Sequence, residues 1–127
     1  ASPELLNEQP LDGPDDAPHH TLVDIGPAMS LFRYWLDEVP ADESWNFGAH
    51  HFMGAIAPIR QWVMAGRGVA VLPEYFVQPD LDRGNLVRVL THVVPRTDWF
   101  RLVWLKDHMR AAELETFGRF LCGRPLQ

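Results

Sequence analysis

The stretch from Ile56 to Pro73 limits the possible folds of this chain more than any other. Ile56, Ile59, Trp62 and Val63 recur at helical spacing, and Gly66 and Gly68 bracket the end of that helix. Val69-Ala70-Val71-Leu72 then runs without a polar residue to Pro73. An extended run of this kind puts apolar side chains on both faces of a sheet. Both faces must be covered, which is the environment of a parallel sheet flanked by helices. Pro58 carries no N–H and fits only in a first helical turn, so the helix should begin at Ala55 or Ile56.

The remaining segments alternate in the same way. Pro3-Glu4-Leu5-Leu6 opens a short helix with Ser2 as its cap. Asn7 to His20 holds three prolines and a glycine and reads as a connector. Thr21–Ile25 is a short strand closed by Gly26-Pro27. Ser30 should cap a helix whose stripe is Leu31, Tyr34, Trp35 and Val39, stopped by Pro40. Trp45, Phe47 and Ala49 alternate with Asn46, Gly48 and His50, the period of a half-buried strand. Leu86–Leu90 and Trp99–Leu105 are further strand candidates. A last helix carries Leu114, Phe117, Phe120 and Leu121 on one side. Strand and helix alternate, so the expected class is α/β.

Composition narrows the function. Of 127 residues 46% are hydrophobic and 22% charged, enough for a packed core and against wholesale disorder. The net charge is −6, and residues 1–64 carry two arginines against ten acids. A nucleic-acid surface needs clustered bases, so no direct contact with nucleic acid is expected. The single cysteine, Cys122, forms no intrachain disulfide and is read as a packing residue. No apolar run approaches a membrane span, and Ala1-Ser2-Pro3-Glu4 shows no signal peptide. The expected compartment is the cytoplasm, with no membrane partner. A chain that begins in the middle of a longer protein also fits the missing initiator Met.

Catalytic signatures are missing: there is no G-x-S-x-G, H-E-x-x-H, C-x-x-C or P-loop. Gly66-Arg67-Gly68 lacks the third glycine of a dinucleotide loop and precedes a strand instead of following one. His19-His20 and His50-His51 invite a metal reading, but neighbours on a strand face opposite ways and no acid or cysteine stands at ligand spacing. They are read as surface or loop histidines, with no metal or other cofactor. Trp35 and Trp62 are read as core, and Asp37-Glu38 and Asp42-Glu43 as a solvated edge.

Ile59 to Val77, with its helix, Gly66-Arg67-Gly68 turn, apolar strand and Pro73, resembles the effector-domain signature of LysR-type transcriptional regulators. Leu81-Asp82-Arg83-Gly84-Asn85-Leu86-Val87-Arg88-Val89-Leu90 resembles the segment that follows it. Trp104–Leu121 looks like the family's final strand and helix, and Ala1–Leu6 like the opening of its second effector subdomain. The resemblance implies a periplasmic-binding-protein-like (type 2) lobe, a mixed and mostly parallel sheet flanked by helices. Residues 1–98 would be the second lobe, and 99–127 a C-terminal strand and helix that normally return to the first. It implies a non-enzymatic sensor of a small-molecule effector, with DNA contacted through a separate domain that has no counterpart in this sequence.

In open α/β sheets ligands sit beyond the carboxyl ends of the strands. Those positions are Gly26–Ser30 and His51–Gly54, so Met29, Ser30, His51, Phe52, Met53 and Gly54 are the expected ligand-binding residues. The second loop leads into a helix N-terminus, whose N–H groups suit an anion. The family often has hydroxyl or amide residues where this chain has Phe52, Met53 and Gly54, which makes this wall apolar. The Leu114–Leu121 stripe needs cover, and self-association by exchange of the C-terminal strand and helix is the expectation. The alternatives are a small metal-dependent enzyme domain using His50 and His51, and a transport-type solute-binding domain.

Overall fold

Strand β1 (Thr21–Asp24) is the segment around which the rest of its unit is built. A computed structural model describes residues 1–124, in two units, Ala1–Thr97 and the segment from Asp98 onward. The first unit contains α1 (Pro3–Glu8), a 3-10 turn (Ala17–His19), β1, α2 (Arg33–Leu36), β2 (Ala49–Phe52), α3 (Ile56–Met64) and α4 (Glu74–Asp82). The second contains α5 (Ala111–Cys122). The chain is α/β with a small parallel sheet: β1 pairs with β2, Leu22 opposite His50 and Asp24 opposite Phe52. Through Thr21 and Val23, β1 also makes a parallel bridge to Val69, with two N–H···O bonds of 2.9 Å.

Alternation along β1 sends successive side chains to opposite faces. Leu22 packs with Leu11, Phe32, Trp35, Phe47 and Val69, whereas Val23 packs with Ile59, Val63, Val77 and Leu86. The Val69–Leu72 run serves both clusters in turn, Val69 and Val71 one and Ala70 and Leu72 the other. Its two-sided burial is as expected, but its ladder stops after one bridge. Ile25 would supply the next N–H, and it donates to Asp24 Oδ1 instead, at 2.6 Å.

Helix α1 is capped as the sequence suggests: Ser2 Oγ accepts the Leu5 N–H at 3.2 Å. Helix α3 starts at Ile56, with Pro58 in its first turn. Other expectations need correction. The second strand is Ala49–Phe52, not Trp45–His50. Phe47 is buried in the aromatic cluster, 5.4 Å from the Phe32 ring, and the Gly48 N–H bonds to carbonyls of Ala17 and His20. The segment before Ala49 therefore packs on the 3-10 turn instead of extending the sheet. His20 is buried rather than superficial, its Nε2 lying 3.1 Å from the Pro10 carbonyl.

Helix α2 is one turn long, and Ser30 does not cap it. Helix α4 is an additional element, with Pro79 inside it. Its entry signals are Pro73 followed by Glu74 in the first turn. Leu86–Leu90 forms no strand; Val87 donates to the Ala1 carbonyl at 2.9 Å, and Leu90 turns the chain with φ +53°.

In the second unit Trp99–Leu105 forms no strand among the described residues, and Trp99 is 73% exposed. A strand exists only where a partner takes its N–H and C=O groups. Phe117, Phe120 and Leu121 of α5 are about half exposed. The last three positions of the expected 99–127 segment lie outside the described residues. Among the described residues no helix is long and apolar enough to cross a membrane.

Candidate ligand site at the strand ends

Because β1 and β2 run parallel, their carboxyl ends lie at one edge of the sheet. Pairing continues into the loops: Met53 N–H donates to Asp24 O at 3.0 Å and Gly54 N–H to Ile25 O at 2.9 Å. The loop after β1 and the loop after β2 therefore leave the sheet side by side.

The first loop is shaped by Asp24. Its carboxylate is fully buried and accepts three backbone N–H bonds, Ile25 (2.6 Å) and Leu31 (3.3 Å) on Oδ1 and Phe32 (2.8 Å) on Oδ2. The segment is thereby drawn back over the end of its own strand. Met29 sits at the bend with φ +48°, a conformation uncommon for a residue other than glycine, and its N–H closes the turn on Gly26 O at 2.8 Å. These bonds also satisfy the amides of Leu31 and Phe32, which lie just before the first residue of α2.

The six expected ligand residues fall as follows. Met29 is half-buried against the Leu22–Trp35 cluster, and Ser30 is exposed. His51 and Phe52 belong to β2 itself rather than to the loop after it, and alternation sends them to opposite faces. The His51 ring stacks on Trp62 of α3, 4.6 Å between centroids and 10° from parallel. Phe52 is 42% exposed, with the His50 ring 6.3 Å away. Met53 is half-buried against the Val23–Ile59 cluster. Gly54 is exposed, with φ +73° and open space where a Cβ would stand. The pairing thus gathers Phe52, Met53 and Gly54 alongside Asp24 and Ile25, and directs His51 away to α3. Sequence reasoning missed Asp24; the available signal was a lone acid closing an apolar strand before Gly26-Pro27.

The helix behind the second loop is anchored from below. Arg60 of α3 grips Asp80 of α4 with Nε to Oδ2 at 2.5 Å and Nη2 to Oδ1 at 2.7 Å. These bonds hold the Asp80 carboxyl below the usual carboxylate range, against the opposing effect of burial. Trp62 is flanked in turn, its Nε1–H donating to Arg67 O at 3.0 Å and the Arg67 guanidinium lying 4.9 Å from the ring.

Among the described residues no three His, Cys, Asp or Glu side chains converge as metal ligands. A groove of about 420 Å³ lies elsewhere, lined by core residues such as Leu22, Val63, Leu72, Leu86 and Val89, and includes none of the six. Its charged rim residues Glu74 and Arg88 pair with each other at 2.5 Å. It follows the gap where Leu86–Leu90 fails to join the sheet. It is an apolar seam of the core, without convergent polar groups to orient a ligand. The strand ends remain the candidate site.

A curated relative, the glycine cleavage system transcriptional activator homolog of Haemophilus influenzae, is 28% identical over 126 residues, 95% of this chain and 40% of that protein. The chain spans less than half the length of that relative. No solved structure gives a significant match. The LysR substrate binding domain family matches residues 1–124. With nearly its whole length matched, this chain belongs to that family, the effector-sensing domain of LysR-type transcriptional regulators.

Proposed function

We propose that this segment senses a small-molecule effector at the adjoining ends of β1 and β2, within a periplasmic-binding-protein-like lobe of type 2. The family match over residues 1–124 carries the reading, and the side-by-side course of the two loops supports this choice of site. The segment performs no chemistry on the effector. Binding shifts the balance between two arrangements of the regulator in proportion to the difference in affinity for them. DNA is met by a separate domain of the regulator, and the working compartment is the cytoplasm. Residues 1–98 form one lobe, and 99–127 serve the other. The exposed face of α5, with Phe117, Phe120 and Leu121, is covered by a second copy.

Within the site, Ser30, Phe52, Met53 and Gly54 face the effector, with Met29 and His51 setting the loop and the flank. Phe52 contributes an aromatic wall, so the effector carries an apolar portion. A thermal-shift screen of metabolites on the complete regulator identifies the ligand. Phe52→Ala is then expected to weaken the effector response about tenfold or more while DNA affinity stays unchanged. An unaltered effector response would remove Phe52 from the site.

A further inference from the structure

We infer that Asp24 acts as a built-in anion: its carboxylate fills the amide-lined turn after β1, so this turn does not receive an acidic group of the effector. Backbone N–H groups that converge at a turn make a receptor for an anion. Here Ile25, Leu31 and Phe32 converge in this way, and the group they hold belongs to the chain itself, at 2.6, 3.3 and 2.8 Å. The Asp24 side chain is wholly buried, so the carboxylate is a fixed part of the loop. In the neighbouring loop the Met53 and Gly54 amides are likewise committed, to the carbonyls of Asp24 and Ile25, so amide donors on that side begin only at the start of α3.

Two consequences follow for recognition. The amides of Ile25, Leu31 and Phe32 are spent, so an incoming carboxylate or phosphate finds no partner among them. A second negative charge would also stand a few ångströms from the first, and like charges at that distance in a partly desolvated site repel strongly. The effector group that faces this loop is therefore neutral or cationic. Asp24 is a positioning residue for Met29 and Ser30 and sets specificity by exclusion. This deepens the proposed function and rests on its placement of the effector at the strand ends.

Chemical rescue tests the inference. Asp24→Gly in the full-length protein removes the side chain and leaves space for one acetate. The variant is expected to melt roughly 5–15 °C below the parent. Sodium acetate should restore part of that loss saturably, while sodium chloride at equal ionic strength and acetamide should not, and the parent should gain nothing from acetate. If Asp24→Gly does not fold, the same salts are compared in refolding it, where acetate alone should raise the yield. Asp24→Asn, which keeps the shape without the charge, serves as a second variant: faster amide hydrogen exchange at Leu31 and Phe32 is expected. Absence of an acetate-specific gain, equal stabilisation of the parent by acetate, or unchanged exchange in Asp24→Asn would overturn the inference. The readout does not involve the effector. Failed rescue leaves the Phe52 test standing, and a silent Phe52 variant leaves the rescue result standing.

Discussion

Removal of the Asp80 carboxylate should cost this chain more than most single substitutions. Asp80 is 1% exposed and receives two charge-assisted bonds from Arg60, whose side chain is 24% exposed. Breaking a buried pair from one side costs about 3–5 kcal/mol, because the partner is left desolvated and unpaired. Arg60 can swing its guanidinium toward water, which brings the cost below that range, to about 2–3 kcal/mol for Asp80→Ala. Against a total stability of roughly 5–15 kcal/mol this is a large share, and it corresponds to a fall in Tm of about 8–12 °C. Urea and thermal melts followed by tryptophan fluorescence would measure it. Arg60→Met combined with Asp80→Leu should recover most of the loss, since an apolar pair of similar volume replaces a costly ionic one.

The pH dependence has a definite sign. Hydrogen bonding from Arg60 depresses the folded-state pKa of Asp80, so its contribution is present above the unfolded value near 4 and is lost as pH falls through the folded value. The gap between parent and Asp80→Ala should thus narrow in acid below about pH 4. A cost under about 0.5 kcal/mol, or costs of Asp80→Ala and Arg60→Ala that simply add, would refute the reasoning.

Gly68→Ala should destabilise by about 2–4 kcal/mol in the same urea melts. Its Cβ would lie 2.5 Å from Thr21 O and 2.8 Å from Val23 Cγ2, at φ +149°. Phe52→Ala, at a side chain 42% exposed, should change the urea midpoint by less than about 1 kcal/mol, so that any lost effector response is a binding effect. The isolated segment, with net charge −6, should show no specific, salt-sensitive mobility shift with DNA. Light scattering should find a dimer or larger species, and Phe117→Asp should reduce it to monomer if the α5 face is the contact.

The middle of the chain was legible because its signals are local. Pro58 fixes where α3 begins, and Gly66 with Gly68 fixes where it ends, whatever surrounds them. Strands depend on partners, and there reading from residues fell short. Trp45-Asn46-Phe47 has perfect alternation, yet it packs on the 3-10 turn, because the Gly48 amide finds carbonyls of Ala17 and His20. Leu86–Leu90 and Trp99–Leu105 have strand composition without a ladder to join. At the site, the positions of the loops followed from the parallel-sheet rule. The facing of His51 depended on Trp62, eleven positions away, and the role of Asp24 on amides seven and eight positions on. No spacing rule predicts either contact.

The central place of β1 also affects how the chain acquires its structure. Thr21–Asp24 leaves the ribosome first among the sheet segments, but its partners are Ala49–Phe52 and Val69. At about 5–20 residues per second, the last of these emerges roughly 2–10 s after β1. Until then the Leu22 cluster lacks Val69, the Val23 cluster waits longer still for Val77 and Leu86, and one side of the strand remains an open edge in a nascent chain. Closing two crossovers of that length is slow compared with helix formation. A synonymous change that slows translation between residues 24 and 69 should therefore raise aggregation of newly made protein without altering the melting temperature of what folds.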